Sequence, residues 1–303
     1  MRVLITGGSG FVGQRLFRYL SKININVERL IRGQETRPSM FNIVGNHDYE
    51  GIKKALDYYR PDIIFHLAGI VHAQNTDALV QANVGYLSRI LDSLNVYSEW
   101  ARNTRVIVLG SAAEYGHVEV QELPVSENYV GQPISLYGAT KLAQTQVALN
   151  WANSFDHFVT VVRPFSLVGP GVPKHTAIGN FVDQLAKIEG DSSPAVLRVG
   201  NLDTSRDIMD IDAAAEILWK LSECESASGK IINLCSGTPV NIGDVVKYLI
   251  EVSGGNIKAR ALKRRVDMKI HYGDDSLLHS VLPDRPKTDW KASLSSALEH
   301  RVS

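Results

Sequence analysis

Short apolar runs alternating with stretches of helical spacing predict an α/β fold, a doubly wound parallel sheet joined to a smaller α/β lobe. Three observations carry this prediction. The chain opens with an apolar run, Arg2 to Ile5, which breaks into a glycine-rich turn and then into helical spacing at Leu16, Phe17 and Leu20. Further runs of buried-strand type follow at Asn26 to Ile31, at Pro61 to Gly69 and at Arg105 to Leu109, with helical stretches between them. After the strand-like Val159 to Val162 and Pro164 the alternation becomes irregular, so 1–165 is expected to form the first domain and 166–303 the second.

The composition limits what such a fold does. With 303 residues, 44% of them hydrophobic, there is material for one large core or two joined lobes. Thirty-two basic residues balance 32 acidic ones, so no global field favours nucleic acid or an anionic membrane, and an anionic ligand must be held by local chemistry. Two cysteines, Cys224 and Cys235, suggest neither a disulfide framework nor a metal cluster; both are expected as buried thiols, with no metal site, in a reducing cytoplasm. The first apolar run is too short for a signal peptide, and no stretch approaches the length of a membrane span.

The first turn is Thr6-Gly7-Gly8-Ser9-Gly10-Phe11-Val12-Gly13. In a strand-turn-helix unit this spacing suits the dinucleotide-binding turn of a Rossmann domain, and equally an ordinary tight βα turn. Gly7 permits the tight turn, Gly10 lets backbone approach a pyrophosphate, Gly13 allows close helix packing, and the helix N-terminus faces the anion. The second strand should end in an acid that binds a ribose 2′-hydroxyl. It ends in Arg32 instead, and a guanidinium suits a 2′-phosphate, so NADPH is favoured over NADH. Asp48 and Tyr49 are placed along the adenine, although Asp48 equally suits a helix N-cap. Leu67, Ala68 and Gly69 end a buried strand with small residues that leave room for cofactor, while His66 before them is expected to be structural. Asn83 falls in a helical stretch that gives asparagine no intrinsic advantage, which suggests a role in bridging backbone.

Tyr137 and Lys141, four apart on a helix, set a phenol beside an ammonium. A free phenol has a pKa of about 10, and bringing it to neutrality takes about 4 kcal/mol, more than one exposed pair supplies. An oxidised nicotinamide would add the missing positive charge. Taken alone, the pair also describes a surface helix with a snorkelling lysine. Ser111, at the end of the Arg105 to Leu109 strand, supplies a hydroxyl at the same sheet edge, so that Ser111, Tyr137 and Lys141 form a candidate triad.

At this point the chain resembles the extended short-chain dehydrogenase/reductases, the group of nucleotide-sugar epimerases, dehydratases and reductases. The matching segments are TGGSGFVG, HLAG, GSAAEYG, YGATK, Arg163-Pro164-Phe165 with Gly169-Pro170-Gly171, and Arg206 to Asp212, in the family's order over nearly the whole chain. The resemblance implies that the strand near 230–237 returns to the large sheet, so that the domains interleave. It places Pro164 at the cofactor and Ala112, Ala113, Phe165, Ser166, Asn180, Arg206 and Arg265 at the nucleotide-diphosphate sugar. It also implies a homodimer built on the helices around Leu87 to Leu94 and Tyr137 to Leu149, with Leu136, Leu142, Val147 and Leu149 as apolar surface.

The family's 4,6-dehydratases carry Asp-Glu where this chain has Ala112 and Ala113, and its epimerase-reductases carry a cysteine where Ala113 stands, so neither dehydration nor C3/C5 epimerisation finds its groups. Glu114 is expected to point elsewhere. What remains is reduction of a 4-keto-6-deoxyhexose nucleotide by NADPH, or 4-epimerisation of a nucleotide-hexose with retained NAD. A non-catalytic cofactor sensor is the third reading. The segments Val199 to Leu202, Pro124 to Asn128 and Asn233 to Gly237 look most like those of reductases that convert GDP-4-keto-6-deoxy-D-mannose to GDP-D-rhamnose. Ser166 departs from the family's usual asparagine.

Overall fold

The computed structural model describes residues 1–32, 40–43, 48–96, 99–188, 195–254, 256–262 and 268–302. The first half alternates strand and helix: β1 (Arg2–Thr6), α1 (Phe11–Lys22), β2 (Asn26–Arg32), β3 (Met40–Ile43), α2 (Tyr49–Tyr59), β4 (Ile63–His66), α3 (Thr76–Val80), α4 (Tyr86–Val96), β5 (Arg105–Leu109), α5 (Leu136–Phe155) and β6 (Val159–Pro164). The second half adds β7 (Ser166–Val168), α6 (Ala177–Ala186), β8 (Ala195–Val199), β9 (Ser205–Asp210), α7 (Ile211–Glu223), β10 (Ile231–Leu234), β11 (Pro239–Asn241), α8 (Ile242–Ser253), β12 (Ile257–Ala261), β13 (Ile270–His271), α9 (Ser276–Val281) and α10 (Trp290–Val302).

Seven strands form one parallel sheet in the order β10-β6-β5-β4-β1-β2-β3. The order reverses between β1 and β4, which opens a crevice at the carboxyl ends of those strands, where α/β sheets bind ligands. Both faces are covered. Ile52 and Leu56 of α2, Leu87 and Ile90 of α4 and Trp151 of α5 pack on one; Leu16 and Leu20 of α1, Leu218 and Trp219 of α7 and Leu278 of α9 pack on the other. Strands buried on both sides need near-continuous apolar runs, and these strands have them.

The domains interleave more deeply than a single returning strand. β10 pairs with β6, and α7 lies against α1 beneath the large sheet. The second lobe has its own core from α6, α8 and α10, including Phe181, Val182, Val245, Leu249 and Leu294. Its strands β11, β9 and β13 pair in that order with β7 also on β9, while β8 and β12 form a separate pair.

α5 is the element that positions the chemistry. The Ser135 hydroxyl accepts from the Gly138 amide and caps its first turn, a contact worth about 1 kcal/mol. Its buried face changes character along its length: Thr140, Lys141, Gln144 and Thr145 come first, then Ala148, Trp151 and Ala152. The apolar end anchors the helix in the core and the polar end meets the strand termini.

Of the residues expected to face a partner subunit, Leu87 and Leu94 belong to the core, Val147 and Leu149 pack partly against it, Leu142 is half-buried, and Leu136 is exposed. Cys235 is fully buried, as expected. Cys224 is only half-buried, because it ends α7 and its thiol sits 3.1 Å from the Ser226 hydroxyl. Among the described residues no helix is long and apolar enough to cross a membrane.

Candidate active site

The glycine turn between β1 and α1 is built as its spacing requires. Gly7 has φ +70°, and a Cβ there would lie 2.7 Å from the Ala68 backbone. A Cβ on Gly13 would lie 2.3 Å from the Gly7 carbonyl oxygen, so the third glycine packs on the turn itself rather than on the strand. The Gly10 amide donates to that same carbonyl at 2.9 Å and closes the loop. Thr6 lies beneath: its hydroxyl meets His66 Nδ1 at 3.0 Å and accepts from the Ala68 amide at 3.4 Å. His66 is fully buried, a structural histidine as expected.

Asn83 explains its place in a helix by geometry. Residues 81–85 form a wide π-type turn between α3 and α4, and Asn83 points inward, fully buried. Its side chain accepts from the Ile70 amide at 2.8 Å and donates to the Ile70 carbonyl at 3.0 Å and to the Thr140 hydroxyl at 2.9 Å. Asn83 is therefore a brace between the loop after Gly69 and α5. Asp48 caps α2, accepting from the Gly51 amide at 2.7 Å, and Tyr49 begins that helix. Arg32 ends β2 in register with Ile43, and its side chain lies outside the described residues, as does the whole of Arg265. Arg29, which the sequence reading missed, lies across Gly8 with its guanidinium 4.2 Å from the Phe17 ring centre.

Ser111 caps a short turn at the end of β5. Its hydroxyl accepts from the Ala113 amide at 3.1 Å, and Glu114 reaches back to accept from the Ser111 amide at 2.8 Å, a capping box. Glu114 does point away from the cleft: it is fully buried, with its Oε2 accepting from Arg163 Nε and from the Thr145 hydroxyl, both at 2.8 Å. Arg163 also stacks on Tyr115, whose hydroxyl donates to Asn233. Asn233 in turn donates to the Val125 carbonyl and, through its amide, to Glu127. The segments at 124–128 and 233–237 thus latch the two halves together from behind the cleft.

Lys141 does not snorkel. It is 3% exposed, and its ammonium donates to the Leu109 carbonyl and to Gln144 Oε1. Burial brings its pKa down to about 8, against a smaller upward pull from Glu114. Tyr137 is half-buried. Burial pushes its phenol above the ordinary value, a hydrogen bond with Ser111 pulls it down, and Glu114 adds an upward push. Burial outweighs the Ser111 hydrogen bond and keeps the phenol above its ordinary value, so the pair by itself does not bring Tyr137 to the phenolate.

These groups meet in a cleft with two lobes. One, about 390 Å³, is lined by Phe11, Val12, Leu67, Gly69, Tyr137 and Lys141 among others. The second, about 290 Å³, is lined by Ala112, Ala113, Gly116, Ser135, Met268 and His271. Ser111, Pro164, Phe165, Ser166 and Arg206 line both. Arg206 donates to the Ser205 and Met268 carbonyls, and no acid pairs with it among the described residues. A half-buried guanidinium with no acid paired to it among the described residues favours an anionic ligand. His271 packs its ring on Phe165, and burial brings its pKa down to about 4. Asn180 is not brought to the cleft: it is exposed on α6, bonded to Gln184. A larger cavity, about 520 Å³, lies at Ile208, Cys235, Arg285 and Trp290 and holds none of the predicted site residues. Among the described residues no cluster of three or more His, Cys, Asp or Glu is placed to hold a metal.

The cleft fits a nicotinamide dinucleotide by its own structure: a glycine cradle that side chains would fill, an N-terminal helix end beside it, and the Tyr137 phenol and the buried Lys141 in the lining of the same cavity. Similarity to known proteins agrees. GDP-6-deoxy-D-mannose reductase of Pseudomonas aeruginosa is 26% identical over 98% of this chain and 96% of its own length. GDP-6-deoxy-D-talose 4-dehydrogenase of Aggregatibacter actinomycetemcomitans is 25% identical over 100% and 98%. The structure of RMD from Pseudomonas aeruginosa complexed with NADPH superposes with a TM-score of 0.87 at 24% identity, covering 99% of this chain and 97% of that one. UDP-glucose 4-epimerase from Thermotoga maritima gives 0.85 at 19% identity, covering 99% and 98%. The sequence profile of the NAD dependent epimerase/dehydratase family matches residues 3–235. This chain belongs to that family, the extended short-chain dehydrogenase/reductases, and is an NAD(P)-dependent enzyme of nucleotide-sugar chemistry.

Proposed function

We propose that this enzyme reduces the C4 keto group of a nucleotide-linked 4-keto-6-deoxyhexose with NADPH, and that its substrate is GDP-4-keto-6-deoxy-D-mannose, converted to GDP-D-rhamnose. The observation that carries the reading is the cleft itself: Ser111, Tyr137 and Lys141 converge there while Ala112 and Ala113, with no acid, base or thiol, line its second lobe. A site so equipped has the groups for carbonyl reduction and lacks those for dehydration or C3/C5 epimerisation at these positions.

Thr6, Gly7, Gly10, Phe11, Val12, Gly13, Asp48, Tyr49, Leu67, Ala68, Gly69, Asn83 and Pro164 form the cofactor side, some by contact and some by bracing. Arg32, at the strand end where an acid would select NADH, favours NADPH. The cofactor, when bound, supplies hydride for C4. Ser111 and Tyr137 hydrogen-bond the C4 carbonyl oxygen, and Tyr137 gives its proton to that oxygen as the alcohol forms. Lys141, with Tyr137 also on the cofactor side, orients the nicotinamide ribose and keeps the phenol acidic. Arg206 holds the diphosphate, with Arg265 as its partner, while Phe165, Ser166, Ala112 and Ala113 shape the sugar pocket. Gene products with this balance of charge and thiol chemistry suit the cytoplasm, and a homodimer is consistent with the exposed Leu136 at the start of α5.

The test is a panel of GDP-, dTDP-, UDP- and CDP-linked 4-keto-6-deoxyhexoses with NADPH and with NADH, followed by loss of the reduced cofactor. Stoichiometric NADPH oxidation with the GDP sugar supports the proposal. Interconversion of C4 epimers without net oxidation points to a 4-epimerase with retained NAD, and cofactor binding without turnover points to a sensor.

A further inference from the structure

Glu114 belongs to no step of that reaction, yet it is the most completely enclosed acid near the triad. It is 0% exposed, and it spans three elements. Oε1 accepts from the Ser111 amide in the turn after β5, and Oε2 accepts from Thr145 on α5, one turn beyond Lys141, and from Arg163 on β6. Burial pushes its pKa above the ordinary carboxyl value, and Arg163, Thr145 and the Ser111 amide pull it down; all three of these partners donate, so the group is held as an acceptor, the role of a carboxylate beside a guanidinium. A Cβ on Gly110 would lie 2.5 Å from Glu114 Oε1, so the glycine before Ser111 makes the room the carboxyl group occupies.

We propose that Glu114 is a positioning residue with two roles, fixing the Ser111 turn against the catalytic helix and holding a negative charge behind Tyr137 and Lys141. It is fully buried among the turn after β5, α5 and β6 and does not line the cleft, so its field acts through protein rather than solvent. The ionisable groups facing this cluster are Lys141 and Tyr137 from α5, Arg163 from β6 and Tyr115 beside it, with Glu127 acting on Tyr115 from the following loop. An anion there favours the ammonium over the amine and the phenol over the phenolate, and the Glu114 charge acts upward on both. The same charge thus keeps Lys141 cationic and keeps Tyr137 a proton donor.

The inference rests on the proposed roles of Tyr137 and Lys141, so its test includes a readout that needs no substrate. In the full-length protein, the phenol titration of Tyr137 is read as the tyrosinate difference between each variant and its Tyr137→Phe counterpart. Glu114→Gln is expected to move that titration to lower pH, the direction in which loss of the Glu114 charge acts on the phenol. The alkaline limb of kcat/KM for the keto sugar should move the same way. Thr145→Val, which removes one bond to Glu114 but no charge, leaves both where they are. Glu114→Asp, kept in case the glutamine variant does not fold, retains the charge but withdraws it, and should shift the titration part of the way. An unmoved titration in Glu114→Gln or Glu114→Asp, or an equal shift in Thr145→Val, would overturn the inference. Absence of keto-sugar turnover in the parent enzyme would overturn the proposed reaction, and the titration would still decide the role of Glu114.

Discussion

Burial raises the phenol of Tyr137 and the hydrogen bond with Ser111 does not reverse that, which suits the proton donor of the proposed reaction. Replacing it with phenylalanine removes the proton and little else. Tyr137→Phe should lower turnover by about 10² to 10⁴-fold, the usual worth of general acid catalysis, with an unchanged circular dichroism spectrum and melting temperature. Lys141 sets the pH range. Its pKa of about 8 lies below that of a free lysine, so the cationic form is full below that pH and is lost as pH rises through it. The kcat/KM profile should therefore fall on the alkaline side around 8, and a profile flat beyond pH 9.5 would show that its charge is not needed. Arg206 carries the anion. Arg206→Met should raise KM for a nucleotide-diphosphate sugar by about ten- to a hundredfold and leave kcat much closer to the parent value, as the loss of one charge-assisted contact implies.

At the scale of elements, the site depends on where β4, β5 and α5 end relative to one another, and Asn83 joins two of those ends. Asn83→Leu would leave the Ile70 amide and carbonyl without their partner, at a cost of about 1 to 3 kcal/mol each when buried. The denaturation midpoint should fall accordingly, and nicotinamide binding should weaken because the loop after Gly69 loosens. The sequence showed the glycine turn, the strand ends and the Tyr137 to Lys141 spacing, since each is a local pattern with a local cause. It did not show the π-type turn that points Asn83 inward, because the widened turn is fixed by contacts with Ile70 and Thr140 that lie far apart in the chain. Glu114 was legible in part: Ser111 with Glu114 three residues later is a capping-box spacing, but its pairing with Arg163 crosses 49 residues. Asn180 went the other way, carried by resemblance to a place that α6 does not bring to the cleft.

On the scale of the whole molecule, two halves of the chain build one reaction site. The first half supplies the sheet, the glycine turn and the triad. The second supplies Arg206, and also α7 and β10, which complete the first half's core and sheet. Interleaving was foreseen for the strand but not for α7, whose apolar face carries no mark of which sheet it will cover. The arrangement brings Arg206, the proposed anion contact, and Tyr137, the proposed proton donor, to a cleft that shares a wall of Ser111, Pro164, Phe165 and Ser166. The most direct measurement supplies NADPH deuterated at nicotinamide C4, using each of the two stereochemical forms, with GDP-4-keto-6-deoxy-D-mannose, and locates the label by mass and NMR spectroscopy of the product. The proposed reaction predicts deuterium at sugar C4 from one form only, with one NADPH consumed per product. Unlabelled product, or sugar inverted at C4 without cofactor consumption, would contradict it.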